Sequence, residues 1–385
     1  MTLLTPAVEN APVSPKVRLE YLDGMRAAAA LFVVVHHCWL QVWQLDTPNM
    51  PTGLTKKLTA IFIYGHFAVT VFIVLSGFCL MLPVALAGGK MRGTYRQFFA
   101  KRARRILPPY YFALVFSLLL IWLWIGHKTG THWDVSIPVY RSELLANLLM
   151  FQELFGHSKI NHAFWSIGVE WHIYFLFPVL VLWMQRAGAG RVAVITAFVT
   201  LAIDHLFRST VLVEEHLPYL GFFALGMLAA KMAFSRDINA TGQRAWIPWL
   251  LGTVALACLA TTPAWTRNWQ HLPSKVNVYD LVVAIVTCYL LLLMAKMRLG
   301  RLRSLLEWKP LAFIGGFSFS LYLIHAPLLQ LFWQTVVWPL HLTGTPAFLI
   351  LVFVGQPLIV GLSYLFFLCC ERPFMSRRTV PDAAK

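Results

Sequence analysis

Long apolar segments follow one another along the chain and are separated by shorter polar stretches. About 20 apolar residues are enough for a helix to cross the hydrocarbon core of a bilayer. The fold class predicted is all-α, a polytopic membrane helical bundle. Ten segments reach spanning length, at 25–45, 61–87, 106–126, 165–185, 191–210, 216–234, 246–263, 277–297, 313–338 and 346–370.

A further apolar segment at 142–155 is short, and the distribution of cations decides how it is counted. If it does not cross and both termini are cytosolic, 24 of the 32 Lys and Arg residues lie on the inner side. The positive-inside rule requires such a bias, and an eleventh span would send the basic loop at 296–309 outside. We therefore predict about ten transmembrane helices plus a short re-entrant or outer helix.

These assignments predict a multi-pass protein of the cytoplasmic (inner) membrane with both termini in the cytosol. The predicted divisions are a disordered tail at 1–17, one membrane domain at 18–373 and a second tail at 374–385. The lipid bilayer is thus a predicted partner, whereas the sequence makes no prediction of oligomeric state.

Composition argues against a soluble protein and against a nucleic-acid-binding protein. Hydrophobic residues make up 58% of the chain and charged residues 12%, about half the charge of a soluble domain. The net charge of +16 is spread over the loops beside the predicted spans, so we expect no nucleic-acid partner. The six cysteines all fall in apolar stretches without metal-site spacing, and we expect no metal site.

The first predicted span carries ionisable groups where lipid-facing helices have none. Arg26 opens it, and the pair His36-His37 lies deep inside. Eleven helical positions turn by about 1100°, about 20° from three full turns, and rise about 16 Å. Arg26 and His37 therefore share a face, and His36 points away from it. Such groups line a protein interior or a water-filled path, although His37 as a simple hydrogen-bond partner of a neighbouring helix fits the spacing equally well.

The densest positive charge precedes the third span, in KMRGTYRQFFAKRARRILPP at 90–109. Arg102 and Arg105 are three residues apart and share one helical face, which makes a fork suited to a phosphate. A topology signal or contact with anionic lipid is the alternative explanation. Pro108-Pro109 predicts a bend or a helix start immediately after the arginines.

A carboxylate lies in or at the edge of the fourth span. Ser166, Glu170 and Tyr174 follow one another at four-residue spacing, so they share a face. Glu170 needs a basic partner that fixes helix packing, or a place in a substrate path, and the spacing allows both. In FIVLSGF at 72–78, Ser76 is expected to pack and Gly77 to permit close helix approach.

Together these segments resemble the integral-membrane acyltransferase 3 family. Its Arg-x10-His signature falls on Arg26 and His37, and its Arg-x-x-Arg motif on Arg102 and Arg105. Its Trp-Ser-x-x-x-Glu-x-x-x-Tyr stretch covers Trp165 to Tyr174. The resemblance covers almost the full chain, through YLDGMRAAAALFVVVHH at 21–37, FIVLSGF at 72–78, RARRILPPYY at 102–111, FWSIGVEWHIYFLFP at 164–178, SFSLYLIHAPLL at 318–329 and ERP at 371–373.

The resemblance implies an O-acyltransferase that moves an acyl group, in particular acetyl, from acyl-CoA to a hydroxyl of a carbohydrate or glycoconjugate. Acyl-CoA is then a donor substrate and not a permanently bound cofactor. His37 would be the general base, with Glu170 and Tyr174 completing the catalytic set. The implied donor-binding residues are Arg26, Arg102 and Arg105.

One departure from the family pattern stands at Trp171-His172, where many members carry Glu-Gln. Contacts with the acceptor in this region are therefore expected to differ from those of other members. The alternative function is a proton-coupled transporter or flippase of a lipid-linked glycan, which also needs ionisable groups within the membrane. The Arg-x-x-Arg motif beside the Arg-x10-His face favours the transferase, because a transporter has no particular need for it.

Overall fold

The fold is known from a computed structural model that describes residues 19–43, 50–91, 93–155, 159–207, 216–234, 252, 278–296 and 298–375. Nearly all of these residues are helical, and no strand occurs among them. The predicted all-α class is therefore confirmed for the described part of the chain. The predicted tail at 1–17, and all but the first two residues of the one at 374–385, lie outside it.

Fourteen helices form the described fold. They are α1 Glu20–Val42, α2 Gly53–Thr59, α3 Phe67–Leu86, α4 Tyr95–Leu120, α5 Arg141–Leu148, α6 Trp165–Ala187, α7 Ala189–Phe207, α8 Pro218–Phe234, α9 Val278–Ala295, α10 Gly300–Leu306, α11 Lys309–Gly315, α12 Ser318–Phe332, α13 Gly344–Ile350 and α14 Gln356–Phe366. Short 3₁₀ turns lie at Ala60–His66, His132–Ser136, Gln152–Phe155 and Arg372–Phe374. Single π-helical turns continue α4, α12, α13 and α14, at Ile121–Ile125, Trp333–Val337, Leu351–Gly355 and Phe367–Glu371.

The number of helices able to cross a membrane is smaller than predicted. Among the described residues, two bent helix pairs, α9 with α10 and α11 with α12, raise the number from six to eight if each pair is one span. Helix α8 is apolar but has only 17 residues, and the predicted span at 246–263 lies outside the described residues except for Gly252. The structure therefore supports a multi-pass helical protein and does not confirm ten spans. The six long stretches are Glu20–Val42, Gly53–Leu86, Tyr95–Ile125, Trp165–Ala187, Ala189–Phe207 and Gly344–Phe374.

Helix α4 begins well before the predicted third span. The expected helix start after Pro108-Pro109 is wrong, because α4 starts at Tyr95 and runs through both prolines. A capping box explains the early start: Thr94 Oγ1 accepts from the Gln97 N–H at 3.2 Å, and Gln97 Oε1 accepts from the Thr94 N–H at 3.1 Å. Arg102 and Arg105 consequently lie inside the helix.

The predicted span at 313–338 is broken near its start. Helices α11 and α12 meet at a bend of 74°, and the break follows Gly315. A Cβ atom at Gly315 would lie 1.9 Å from the carbonyl oxygen of Asp23. The glycine therefore lets α11 lie directly against the backbone at the start of α1, and the chain must then turn to continue as α12.

The short apolar segment at 142–155 does not form a helix of spanning length. Helix α5 has eight residues, and two tyrosines from the middle of α4 hold it. Tyr110 Oη donates to the carbonyl oxygen of Asn147 at 3.0 Å, and Tyr111 Oη donates to that of Leu148 at 2.8 Å. Farther on, Asn161 is buried and its amide donates to the carbonyl oxygen of Leu323 at 2.9 Å. Residues 126–155 and 159–164 are thus attached to α4 and α12.

Close contact between α3 and α8 depends on two glycines, as predicted for Gly77. A Cβ atom at Gly77 would lie 2.2 Å from the carbonyl oxygen of Phe223, and one at Gly226 would lie 2.2 Å from that of Val74. Backbones can approach this closely only where side chains are absent. This pair of contacts fixes α3, which carries one wall of the site described below.

We predict that Gly77→Ala destabilises the protein, because its new methyl group meets backbone that cannot move aside. The expected result is a clear fall in the melting temperature of the detergent-purified protein. Gly361→Ala in α14 is the matched control, since no atom lies within 4 Å of its Cβ position. Equal melting temperatures for the two variants would contradict the packing described here.

Candidate functional site

A cavity of about 320 Å³ lies between α1, α3, α4, α6 and α12. Its walls combine apolar side chains with five of the six site residues predicted from the sequence. The lining residues used below are Arg26, Ser76, Cys79, Arg102, Arg105, Ser166, Glu170, Tyr174 and Tyr322.

The cavity is elongated along α3. Its lining residues on that helix extend from Val69 to Pro83, a rise of about 21 Å. Helices α1 and α3 run antiparallel, because Arg26 contacts Cys79 while His36 lies against Gly65. On α3, Val69 lies ten residues before Cys79. On α1, His36 and His37 lie ten and eleven residues after Arg26, so Val69 and the two histidines are at about the same distance along the bundle from the contact between Arg26 and Cys79. The cavity therefore extends from the level of Arg26 to about the level of the two histidines.

Three arginines mark one end of the cavity. Arg26 donates from Nη1 to Asp23 Oδ1 and from Nη2 to Cys79 Sγ, both at 3.0 Å. Arg102 is half-buried, and its Nε has no hydrogen-bond partner among the described residues. Arg105 lies on the same face of α4, nearer the surface. This end offers guanidinium groups to an anion, with one donor nitrogen still unused.

Glu170 is hydrogen-bonded to two hydroxyl groups on the wall that α3 and α6 form. Ser76 Oγ donates to Glu170 Oε1 at 2.7 Å and lies 2.8 Å from Tyr174 Oη, which also donates to Glu170 Oε1. Ser166, Glu170 and Tyr174 share one face of α6 as predicted, and all three line the cavity. Ser76 does more than pack, contrary to expectation, because it completes the hydrogen bonds of Glu170.

The far end of the cavity leads to a group of histidines. Tyr322 Oη lies 2.7 Å from Ser166 Oγ and both residues line the cavity. One turn along α12, His325 Nδ1 lies 2.8 Å from the carbonyl oxygen of Tyr322. His325 Nε2 in turn lies 2.8 Å from His37 Nδ1. Tyr322 and His325 therefore connect the cavity to His37, which does not itself line it.

These contacts fix the tautomers of the two rings in their neutral forms. A carbonyl oxygen only accepts, so His325 carries its hydrogen on Nδ1 and donates it to Tyr322. Its Nε2 must then accept, and His37 donates from Nδ1. The lone pair of His37 Nε2 is left available as a base or as a ligand.

Two further histidines surround His37. His162 and His132 have ring centroids 4.9 Å and 5.9 Å from that of His37. A ring nitrogen from each of the three residues lies within 4.8 Å of the others. Burial lowers the pKa of His132 to about 4 and that of His162 well below its usual value, so both rings are neutral near pH 7.

The sequence missed part of this arrangement. Five of the six predicted site residues line one cavity, whereas His37 lies beyond it. Among the described residues, the side chain that hydrogen-bonds His37 is His325. Glu170 and Tyr174, the other two predicted catalytic residues, contact Ser76. His325 stood in a segment already noticed, SFSLYLIHAPLL, but its distance of 288 residues from His37 gave no signal. The positions of His132 and His162 in the sequence form no spacing pattern with His37 or with each other that would have indicated a shared site.

The departure from the family pattern at Trp171-His172 has a structural counterpart. His172 Nδ1 pairs with the carboxylate of Glu153, and its ring stacks on Phe151 at 5.2 Å. Both partners belong to the segment that follows α5. The substitution therefore ties α6 to residues 151–153 rather than to the cavity.

Comparisons with known proteins point to one family. The model of the Acyltransferase domain family matches residues 19–368. YrhL of Bacillus subtilis (strain 168), provisionally named as a peptidoglycan O-acetyltransferase, is 23% identical over 92% of this chain and 55% of its own length. This chain thus spans little more than half of that relative.

Two other relatives are matched over more of their length. The O-acetyltransferase PaAT-1 of Phomopsis amygdali is 23% identical over 80% of this chain and 72% of its own. The acyltransferase MdmB of Streptomyces mycarofaciens is 24% identical over 80% of this chain and 78% of its own. No solved structure matches the chain significantly.

We predict that Ser76→Ala lowers the free energy of unfolding by about 1 kcal/mol, because Glu170 loses a charge-assisted, partly buried hydrogen bond. Denaturant titration of the purified protein measures this. Ser304→Ala is the control, since Ser304 lies exposed on α10 and bonds only the backbone of its own helix. A Ser76→Ala protein as stable as this control would show that the Glu170 contact contributes nothing.

Proposed function

The chain belongs to the Acyltransferase domain family, and from this premise we propose that it transfers an acyl group from acyl-CoA to a hydroxyl of a carbohydrate or glycoconjugate acceptor. The observation that carries the proposal is the elongated cavity with three arginines at one end and a path to His37 at the other. Acetyl is the proposed acyl group, since two relatives are named as O-acetyltransferases. The peptidoglycan in the name of YrhL supports a carbohydrate acceptor.

The arginine end suits the phosphates of CoA. Arg102 and Arg105 present two guanidinium groups on one face, and Arg102 Nε is free to donate. Planar guanidinium groups bind phosphate through paired hydrogen bonds. Arg26 is held by Asp23 and by Cys79 at the same end, where its charge adds to the attraction.

The shape of the cavity suits an extended arm. The lining residues on α3 span about 21 Å, of which about 15 Å separate Cys79, at the level of Arg26, from Val69 at the far end. This length is of the same order as the pantetheine arm of CoA. Apolar side chains such as Phe72 and Ile73 line the intervening wall. A donor bound in this way brings its thioester near Tyr322 and hence towards His325 and His37.

His37 is the proposed general base. Its Nε2 lone pair takes the proton of the acceptor hydroxyl as that oxygen attacks the thioester carbonyl. The new C–O bond forms, the C–S bond breaks, and the thiolate of CoA leaves and receives the proton. His325 holds the His37 ring in the required tautomer, and we assign it as a positioning residue. Glu170 and Tyr174 then act on the bound donor or acceptor within the cavity rather than on His37.

We predict that His37→Ala and His37→Gln lower acyl transfer by about 100-fold or more, because the general base is lost. The measurement is acetyl transfer to surface glycan or to a carbohydrate acceptor by membranes that contain equal amounts of protein. His36→Asn is the matched control, because an amide in place of Nδ1 keeps a hydrogen bond to the carbonyl of Phe62. Activity that survives in both His37 variants but vanishes in His36→Asn would overturn the assignment.

We predict that Arg102→Ala and Arg105→Ala weaken binding of acyl-CoA, because each removes a phosphate contact. Binding of a non-hydrolysable acetyl-CoA analogue to the purified protein measures this without turnover. Arg104→Ala is the control, since Arg104 is exposed on α4 and does not line the cavity. Equal affinity in all three variants would remove these arginines from the donor site.

The same binding measurement separates the transferase from the glycan transporter or flippase. A transporter has no reason to bind CoA, so saturable binding of the analogue that depends on Arg102 supports the transferase. Absence of binding, together with glycan movement in reconstituted vesicles, would favour the transporter.

A further inference from the structure

The histidines around His37 form a cluster that the proposed transfer reaction does not need in full. A base and one positioning ring account for His37 and His325. His132 and His162 remain, and a ring nitrogen from each lies within 4.8 Å of one on His37. His162 is 8% exposed, and its Nε2 is buried without a hydrogen-bond partner among the described residues. Such an atom costs free energy unless something binds it.

The hydrogen bonds of the cluster turn its lone pairs inwards. His37 uses Nδ1 on His325, which leaves Nε2. His162 Nδ1 lies 3.1 Å from Ser136 Oγ, and when it donates there, Nε2 carries the lone pair. His37 and His162 then each keep a lone pair on Nε2, and both rings pack against the ring of His132. Nitrogen lone pairs gathered in this way attract a cation.

We propose that His37, His132 and His162 bind a divalent transition-metal ion of the Zn²⁺ class. Three imidazoles with one open position for water are an established ligand set for this class of ion. Tetrahedral Zn–N bonds place the nitrogens about 3.4 Å apart. From a separation of at most 4.8 Å, each ring moves by less than about 1 Å to reach that geometry.

The chain segments that carry the three histidines are held by contacts outside the cluster. Beside His132, the indole N–H of Trp133 donates to the carbonyl oxygen of Ile125 at 3.0 Å. The backbone N–H of His162 donates to Ser136 Oγ at 3.1 Å, and Asn161 is bonded to α12. Ligands held in this way lose little conformational entropy on binding. His37 and His132 are partly exposed, so water can reach the fourth position.

Metal titration of the purified protein tests the site without any acyl donor. The protein carries no polyhistidine tag, is stripped with a chelator, and competes for Zn²⁺ with a chromophoric chelator. We expect one saturable site per chain, weakened about 100-fold or more in His132→Gln and in His162→Gln, since loss of even an outer-shell contact costs 10–100-fold. His127→Gln removes an exposed histidine and should bind like the wild type.

Wild-type protein without saturable Zn²⁺ binding, or His132 and His162 variants that bind as tightly as His127→Gln, would overturn the proposal. Co²⁺ supplies a measurement that needs no variant. An intense visible absorption band on titration with Co²⁺ supports tetrahedral nitrogen ligation, and its absence at saturation counts against the site. Matched elution profiles and melting temperatures exclude misfolding of the variants.

The site has a regulatory consequence that rests on the proposed function. The same Nε2 lone pair of His37 cannot bind a metal and accept a proton at once, so Zn²⁺ should inhibit acyl transfer. His132→Gln should keep the uninhibited rate and lose most of the inhibition. Full acyl-transfer activity at saturating Zn²⁺ would show that His37 is not both the general base and a metal ligand. Whether the metal site exists is decided by the metal titration alone. If the metal-free wild-type protein shows no acyl transfer but binds Zn²⁺, the proposed function is refuted and the metal site remains.

Discussion

Close backbone contact around α1 is the constraint on which the rest of the site depends. A Cβ atom at Gly24 would lie 1.9 Å from the carbonyl oxygen of Leu306, one at Gly315 would lie 1.9 Å from that of Asp23, and one at Gly65 would lie 2.0 Å from His36. Three other segments therefore press closely on the helix, two of them backbone against backbone and the third against the side chain of His36. Arg26 and His37 cannot shift relative to their surroundings, and their separation of about 16 Å along the helix becomes a fixed dimension of the protein.

That dimension separates two electrostatic environments. At the Arg26 end, Arg26 and Arg102 lie within electrostatic range of Glu170, and Arg105 lies nearer the surface. At the His37 end, the ring nitrogens of His325 and His162 contact a carbonyl oxygen and a hydroxyl, and no carboxylate contacts either ring among the described residues. Charged groups are therefore concentrated at one end of the cavity, and the histidines beyond its other end have uncharged hydrogen-bond partners.

Local periodicity was enough to predict much of this. The shared face of Ser166, Glu170 and Tyr174, and the fork of Arg102 and Arg105, follow from helical spacing alone because each set lies on one helix. The start of α4 was mispredicted because two prolines outweighed a capping box, Thr94 with Gln97, that is visible in the sequence. The contacts of His37 with His325, His132 and His162 were beyond prediction, because they join distant segments and single histidines have no spacing to recognise.

The hydrogen bond between His37 and His325 joins residues 288 positions apart, and this separation has a consequence for biosynthesis. At 5–20 residues per second, the ribosome needs roughly 15–60 s to supply the second residue after the first. Gln41 of α1 hydrogen-bonds Gln330 of α12, and the delay between the synthesis of these two residues is equally long. The first helix therefore enters the bilayer with polar groups whose partners do not yet exist. Its early retention in the membrane has to rely on the insertion machinery or on water, and the last helices to be made supply the hydrogen-bond partners of these groups.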